Sequence, residues 1–435
     1  MSSKNKPDTL SETAFLLRRI HAFKASRPAW AHIHTGNWTR KIHNIFASSY
    51  VNVLLVFVPL GILAYHLSWG AKAVFLFNFL AIIPLAALLG YATEEISVHV
   101  GETVGGLLNA TFGNAVELIV AIVALARGEI RIVQTSMLGS ILSNTLLVLG
   151  SSFIAGGYNR IQQKFNATVA QTMSSLMALA VTSLLIPAAF NSSYPHPSKP
   201  GKKANQAVLN VSHGTALVLL IIYTLYLIFQ LKTHAQYFES MSENSDDNDV
   251  SERGETTPLL TSENGTVVNG QSTDDHAAPS SSTLSTWEAL GLLAIITVVV
   301  SYCADYLVDS IDSIVTETGI SKTFIGVVLI PIVGNAAEHV TAIVVATKDK
   351  MDLAVGVAIG SSMQIALFLT PFCVIIGWFI NQPMSLLFTT FETCVLFVSV
   401  LMLNYIVQDG ECNWLEGSML VGTYCVIAIA FWNYP

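Results

Sequence analysis

The chain is short of charge. Asp, Glu, Lys and Arg make up only 11% of its 435 residues, against roughly a quarter in an ordinary soluble domain. With 52% hydrophobic residues and a mean hydropathy of +0.56, that deficit excludes a water-exposed globular surface and marks a polytopic membrane protein. Cysteine is scarce as well. Of five, Cys303, Cys373, Cys394 and Cys425 lie in apolar runs, and none has CxxC or Cys/His spacing. Neither a disulfide framework nor a zinc site is indicated. Residues 1–48 lack the apolar core of a cleavable signal peptide, so the apolar run from Val51 acts as the insertion signal. The net charge of −8 carries no nucleic-acid signal, because most of the excess acid sits in one loop.

What the sequence does contain is a duplication. Gly113-Asn114-Ala115-Val116-Glu117 recurs 221 residues later as Gly334-Asn335-Ala336-Ala337-Glu338. The same ungapped offset lays Ala121-Ile122-Val123 on Ala342-Ile343-Val344, Arg127 on Lys348 and Gly139-Ser140 on Gly360-Ser361. A register held from residue 113 to 140 reads as an internal repeat.

Crossing the hydrocarbon core takes about 20 apolar residues as a helix. That criterion predicts an all-α protein of about eleven spans, near 50–68, 72–92, 104–126, 131–156, 166–190, 207–231, 286–310, 322–346, 352–379, 384–405 and 414–433. The domain plan that follows has a basic cytosolic tail (1–49), a leading helix (50–68), a five-helix repeat (72–231), a linker (232–285) and a second five-helix repeat (286–433). A cytosolic tail places 14 of the 21 Lys/Arg on that side and 7 on the other, the positive-inside bias, and puts the C-terminus on the lumenal or extracellular side. Glu117 and Glu338 then lie five spans apart. The repeats therefore cross in opposite directions, the inverted arrangement of many secondary transporters, whose sites lie near the midplane between the copies.

The tail and linker read differently from the spans. The stretch Phe15 to Ile20 is either an interfacial amphipathic turn or plain solvated tail. Between Tyr237 and His276, ten acidic residues face a single Arg253, which predicts a mostly disordered cytosolic linker. The alternative is a weak calcium-sensing surface using Glu239, Glu243, Asp246 and Asp247, helped by Glu94, Glu95 and Glu102 on the same predicted side. Glu255-Thr256-Thr257-Pro258-Leu259-Leu260 fits an acidic dileucine pattern for a sorting adaptor.

An ionised carboxylate at the bilayer centre costs roughly 2.5–3.5 kcal/mol on insertion scales. Two at matching positions, with no intramembrane Lys or Arg nearby, point to use rather than packing. The structural alternative is that each caps a backbone break. Asn114 and Glu117 are three apart on a helix and face one way, as do Asn335 and Glu338. Gly113 and Gly334 permit a break exposing carbonyls, and Pro331 removes a helical N–H just ahead of the second copy. This all-oxygen set suits a hard divalent ion, Ca2+ or Mn2+, as substrate. When the ion leaves, two bare carboxylates in low dielectric repel each other and take up protons as a coupled pair. The expected activity is proton-coupled antiport without any cofactor. His339 either relays a further proton or is structural. Ser140, Ser361 and Gln364 are either supporting oxygen ligands or, for the serines, small residues that let helices approach.

These residues resemble a known family. The two signature stretches, with Arg131 to Gln134 and Ser136 to Ser140, are similar to the paired repeats of cation/proton exchangers in the calcium/cation antiporter superfamily, most of all the vacuolar calcium/proton exchangers of fungi and plants. The likeness covers about residues 50–433. It implies Glu117 and Glu338 as alternating calcium and proton sites, with Asn114, Asn335, Ser140, Ser361 and Gln364 as supporting ligands. It further implies a role for His339 in proton coupling and ion preference, and calcium loading of a vacuole driven by the proton gradient. The long Ser/Asn/Gly-rich linker departs from the family's compact acidic helix. A sodium/calcium exchanger of the same superfamily is the rival. An intramembrane acid/base enzyme and a channel fit less well: no other catalytic motif is present, and a channel needs no counter-ion.

Overall fold

The computed structural model describes residues 37–100, 102–193, 202–235, 238 and 284–434. Glu239, Glu243, Asp246, Asp247 and the dileucine pattern lie outside these residues, as do Phe15 to Ile20. Of Glu102 the backbone alone is described. The chain divides into two units. The described part of the first ends in helix α1 (Asn37–Ala47). The second, Ser48–Pro435, holds everything else.

Long apolar stretches have no way to satisfy backbone N–H and C=O groups in lipid except as helices, and the second unit is built accordingly. A 3₁₀ segment, Tyr50–Val56, leads into α2 (Phe57–His66). There follow α3 (Ala71–Val100), α4 (Glu102–Phe112), α5 (Ala115–Ala126), α6 (Ile130–Gly157), α7 (Ala167–Ser193) and α8 (Gln206–Thr233). The second half contains α9 (Thr286–Thr318), α10 (Lys322–Gly334), α11 (Ala336–Thr347), α12 (Met351–Phe379), α13 (Thr390–Ile406) and α14 (Trp414–Trp432). Helix starts carry capping boxes at Ser285–Glu288, Thr389–Glu392 and Asn413–Glu416, each satisfying orphan N–H groups. Gly319 ends α9 in the left-handed region at φ 74, where glycine is favoured.

Seven of these helices, α3, α6, α7, α8, α9, α12 and α14, are individually long and apolar enough to cross a membrane. The expected spans at 104–126 and 322–346 are each broken in two. The second break bends α10 against α11 by 54°. The expected span at 384–405 is helical only from Thr390. Its first residues form no regular element, and part of their backbone bonds to other helices. The Gln134 side-chain amide donates to the Ser385 carbonyl at 2.9 Å, and the Leu386 N–H donates to Ser212 Oγ at 3.0 Å.

Loop contacts sort the molecule into two ends. At one, Arg127 pairs with Asp305 at 2.7 Å and with Asp309; Lys322 pairs with Glu129 at 2.8 Å and Asp312 at 2.6 Å; Arg131 pairs with the fully buried Glu392. At the other, a two-residue strand β1 (Gln163–Lys164) pairs antiparallel with β2 (Glu411–Cys412). Asp349 there takes a bond from Gln163 Nε2 at 2.6 Å, and the Asn166 N–H donates to Asp352 at 2.6 Å. These contacts join helix ends and loops, Asp305 and Asp309 lying within α9 and Glu392 in the first turn of α13. The eleven-span order expected above assigns the Arg127 end to the lumenal side and the β1–β2 end to the cytosolic side.

Candidate functional site

Both repeats break at the signature asparagine. Asn114 (φ −106, ψ 30) precedes α5, and Asn335 (φ −85, ψ 8) separates α10 from α11. Neither side chain caps its helix. The expectation that Asn and Glu share a helical face is thereby modified. The asparagine sits at the break, the glutamate lies in the first turn, and the amide is free to reach another helix. A carboxylate in a first helical turn also faces the positive end of the helix dipole. The glycines stand directly before these breaks, and Gly334 has a further use. Neither Gly113 nor Gly334 adopts positive φ. Instead, a Cβ placed on Gly334 would stand 2.8 Å from Glu117 Oε1, so its bare backbone makes room for the other repeat's carboxylate.

The polar groups converge on Ser361 in α12. Its hydroxyl lies 2.6 Å from Asn114 Oδ1 and 3.2 Å from Glu338 Oε1, and Asn144 Nδ2 donates to Ser361 Oγ at 3.0 Å. Asn114 Nδ2 donates to Gln364 Oε1 at 2.7 Å, and Asn335 Nδ2 to the Ser140 carbonyl at 3.4 Å. Four buried oxygens in this group have no hydrogen-bond partner: Glu117 Oε1, Glu338 Oε2, Asn335 Oδ1 and Asn144 Oδ1. All four are acceptors. Leaving a buried polar atom unsatisfied costs about 1–3 kcal/mol, so a cluster of bare acceptors is a site shaped for a cation. Among the described residues, no three His, Cys, Asp or Glu side chains converge. The ligand set is two carboxylates plus neutral amide, hydroxyl and carbonyl oxygens, which suits a hard ion.

A cavity of about 450 Å³ reaches this cluster. Glu117, Glu338, Asn114, Ser361, Gln364, Gly113 and Gly334 line its inner part, and Ser48, Ser49 and Glu94 line it towards the β1–β2 end. The structure brings most of the expected residues to one cavity; Asn335 and Ser140 are not in its lining but bond to each other. His339 is half-buried and not among the cavity-lining residues. Glu95 lies apart from the cavity lining, one of its oxygens accepting the Leu284 N–H at 3.0 Å. Asn144 is a site residue the sequence reading missed. Its repeat counterpart is Ile365, so the duplication gave it no signal. It does lie in a π-helical segment, Ser143–Val148, that the second repeat matches at Ile365–Leu369; such bulges cluster at functional sites. Replacing Ser361 with Ala removes three contacts at once. We expect calcium affinity to fall about tenfold or more, since the one lost bond to a charged group, Glu338, is by itself worth roughly 1.5–3 kcal/mol. Titration of the purified variant checks this, and an affinity within twofold of wild type would remove Ser361 from the site.

The sequence pattern of the sodium/calcium exchanger protein family matches residues 70–232 and 288–433. The chain is a member of that family, in its cation/proton exchanger branch. It is 51% identical over 392 residues to a vacuolar calcium ion transporter of Schizosaccharomyces pombe, covering 90% of this chain and 87% of the relative. It is 41% identical to vacuolar cation/proton exchanger 3 of Oryza sativa, covering 90% and 88%. The solved structure of native YfkE superposes with a TM-score of 0.69 at 34% identity, over 88% of this chain and 99% of that one. The polytopic helical fold of this exchanger is thus shared with a solved structure.

Proposed function

We propose that this chain is a secondary antiporter that moves Ca2+ from the cytosol into a vacuole in exchange for lumenal protons. The observation that carries the reading is the convergence, from both repeats, of four unpartnered buried acceptor oxygens next to one cavity. A divalent ion balances the two carboxylates. Once it leaves, charge in a low dielectric must be neutralised, and protons on Glu117 and Glu338 do this. Relatives described as vacuolar calcium ion transporters and cation/proton exchangers, and the structural relative YfkE, described as a Ca2+/H+ antiporter, support the same assignment. Mn2+ satisfies the same ligands.

In this reading the chain crosses the membrane eleven times, with α4–α5 and α10–α11 as broken spans, the N-terminus cytosolic and the C-terminus lumenal. The cavity then faces the cytosol. Asn114, Asn335, Ser140, Ser361 and Gln364 support the ion, and His339, beside Glu338 in sequence but off the cavity, acts on coupling through the α11 backbone. Glu94 at the cavity margin, with Glu95, Glu102 and the acidic linker residues, supplies cytosolic calcium regulation, and the dileucine pattern recruits a sorting adaptor.

The test is calcium uptake into sealed vesicles carrying the purified chain, with a pH gradient and a sodium gradient imposed separately. Uptake should follow the pH gradient and collapse with a protonophore. Uptake driven by sodium at equal pH would instead favour the sodium/calcium exchanger, and uptake needing neither gradient a channel.

A further inference from the structure

The repeat equivalence extends from the ligands to the space around them. A second void of only about 20 Å³ lies beside Glu117, lined among others by Val120, Ser136, Ser140, Ile330 and Val333. Shifted by the same 221 residues, these positions become Thr341, Val357, Ser361, Asn109 and Phe112, all of which line the large cavity. Glu117 of the small void likewise becomes Glu338 of the large cavity, which Glu117 also lines. The small void is therefore the pseudo-symmetric counterpart of the open cavity. It lies on the Arg127 side of the site, because Ser136 is one turn closer than Ser140 to the start of α6.

An independent feature explains why one is shut. A Cβ on Gly139 would stand 2.1 Å from the Val327 carbonyl oxygen and 2.6 Å from Pro331 Cγ, and one on Gly326 would stand 1.8 Å from Thr135 Oγ1. α6 and α10 are thus in backbone contact, a seam only glycine allows. The counterpart of Gly139 is Gly360 on α12. It lines the open cavity, and a Cβ there would meet nothing within 4 Å. Its φ is not positive either, so neither space nor backbone conformation in this state requires glycine at 360.

We propose that Gly360 serves a contact made only in the opposite state of the transport cycle. There α12 closes on α4, with Gly360 against the backbone of residues 106–110, just as Gly139 now lies against Val327 and Pro331. The α6–α10 seam parts at the same time, and the Ser136 void widens into a path to the other side. This rests on the antiporter reading above, since alternating exposure of one site needs two such seams used in turn. Gly360 is a positioning residue: it seals the route without ligating the ion.

The test is Gly360→Val in the full-length chain. The added side chain enters open space in the present state, so the melting temperature and the calcium affinity measured by titration should stay within about a degree and twofold of wild type. Closure is blocked, so pH-driven uptake should fall at least tenfold, with Gly360→Ala intermediate. Uptake within twofold of wild type overturns the proposal, as does a parallel loss of calcium affinity, which would make Gly360 part of the binding site. A second measurement stands apart from transport. In a chain with its five native cysteines replaced, Val357→Cys should react with an impermeant maleimide from the open side, and calcium with an imposed pH gradient should slow that reaction. Adding Gly360→Val should abolish the slowing; persistent slowing overturns the proposal. If wild-type uptake ignores the pH gradient, the antiporter reading fails, while the maleimide result still reports whether the seam closes.

Discussion

Glu117→Gln and Glu338→Gln each reduce proton-driven calcium uptake to about 1% of wild type or less. Glutamine keeps the side chain's volume and one oxygen, so packing around the site is preserved and the change is one of charge. In a buried site with two carboxylates, removing one leaves a divalent ion half neutralised, and an uncompensated charge in such a place costs about 3–5 kcal/mol. At 1.4 kcal/mol per tenfold, that is a hundredfold or more in affinity. The empty protein should not suffer, because the substitution removes a buried carboxylate whose oxygen has no partner; its melting temperature should hold or rise. Proton competition gives a further readout. Lowering the pH on the open side protonates the carboxylates and weakens calcium binding in wild type. With one carboxylate gone, the slope of log affinity against pH should fall by about half. The measurements are vesicle uptake, a thermal melt and titrations across pH. Uptake within threefold of wild type in either variant would place the ion elsewhere.

Gly334→Ala should separate folding from ion binding. The added Cβ would come to 2.8 Å from Glu117 Oε1, with the rest of that side chain at 3.4 Å or beyond. The obstacle is the far end of a rotatable side chain rather than backbone, so the carboxylate can swing away and the fold remains. The consequence falls on the ligand geometry. A displaced carboxylate opens the oxygen set on one side, and calcium affinity should drop tenfold or more while the melting temperature moves by only a few degrees. Gly139→Ala is the contrasting case: its Cβ would strike the Val327 carbonyl at 2.1 Å, backbone that cannot move aside without separating α6 from α10. There the loss should appear first in stability. If Gly334→Ala bound calcium as wild type does, the close packing of Gly334 on Glu117 would have no part in holding the ion.

Much of the site was legible in the chain because duplication supplies its own control. A glutamate in an apolar segment is ambiguous alone. The same glutamate after the same Gly-Asn in a second copy, at an odd number of spans, implies two carboxylates facing each other across a pseudo-twofold. Gln364 and Ser361 could be placed near them from the shared register of Gly139-Ser140 and Gly360-Ser361. Asn144 could not, because its counterpart is Ile365 and its contact with Ser361 depends on how α6 lies against α12. The broken spans were half legible: Gly and Pro flagged a weak point, while the actual break at Asn114 and Asn335 follows from the amides bonding to Gln364 and to the Ser140 carbonyl instead of their own helices.

Composition and pattern alone determined that this chain lives in a membrane, folds as helices and carries two oppositely oriented copies of one carboxylate-bearing unit. Those properties depend on local hydropathy, helix length and repeat register, all of which are read along the chain. The tertiary structure alone decided which oxygens remain unpartnered, why Gly334 is glycine, which end of the molecule the cavity meets and which seam is closed. Each of these depends on distances between helices from different repeats, such as the close approach of Gly139 to Val327 and the empty space beside Gly360. Identical local sequence can occupy either arrangement, because the two seams are related by the repeat and the packing of the whole bundle selects one at a time.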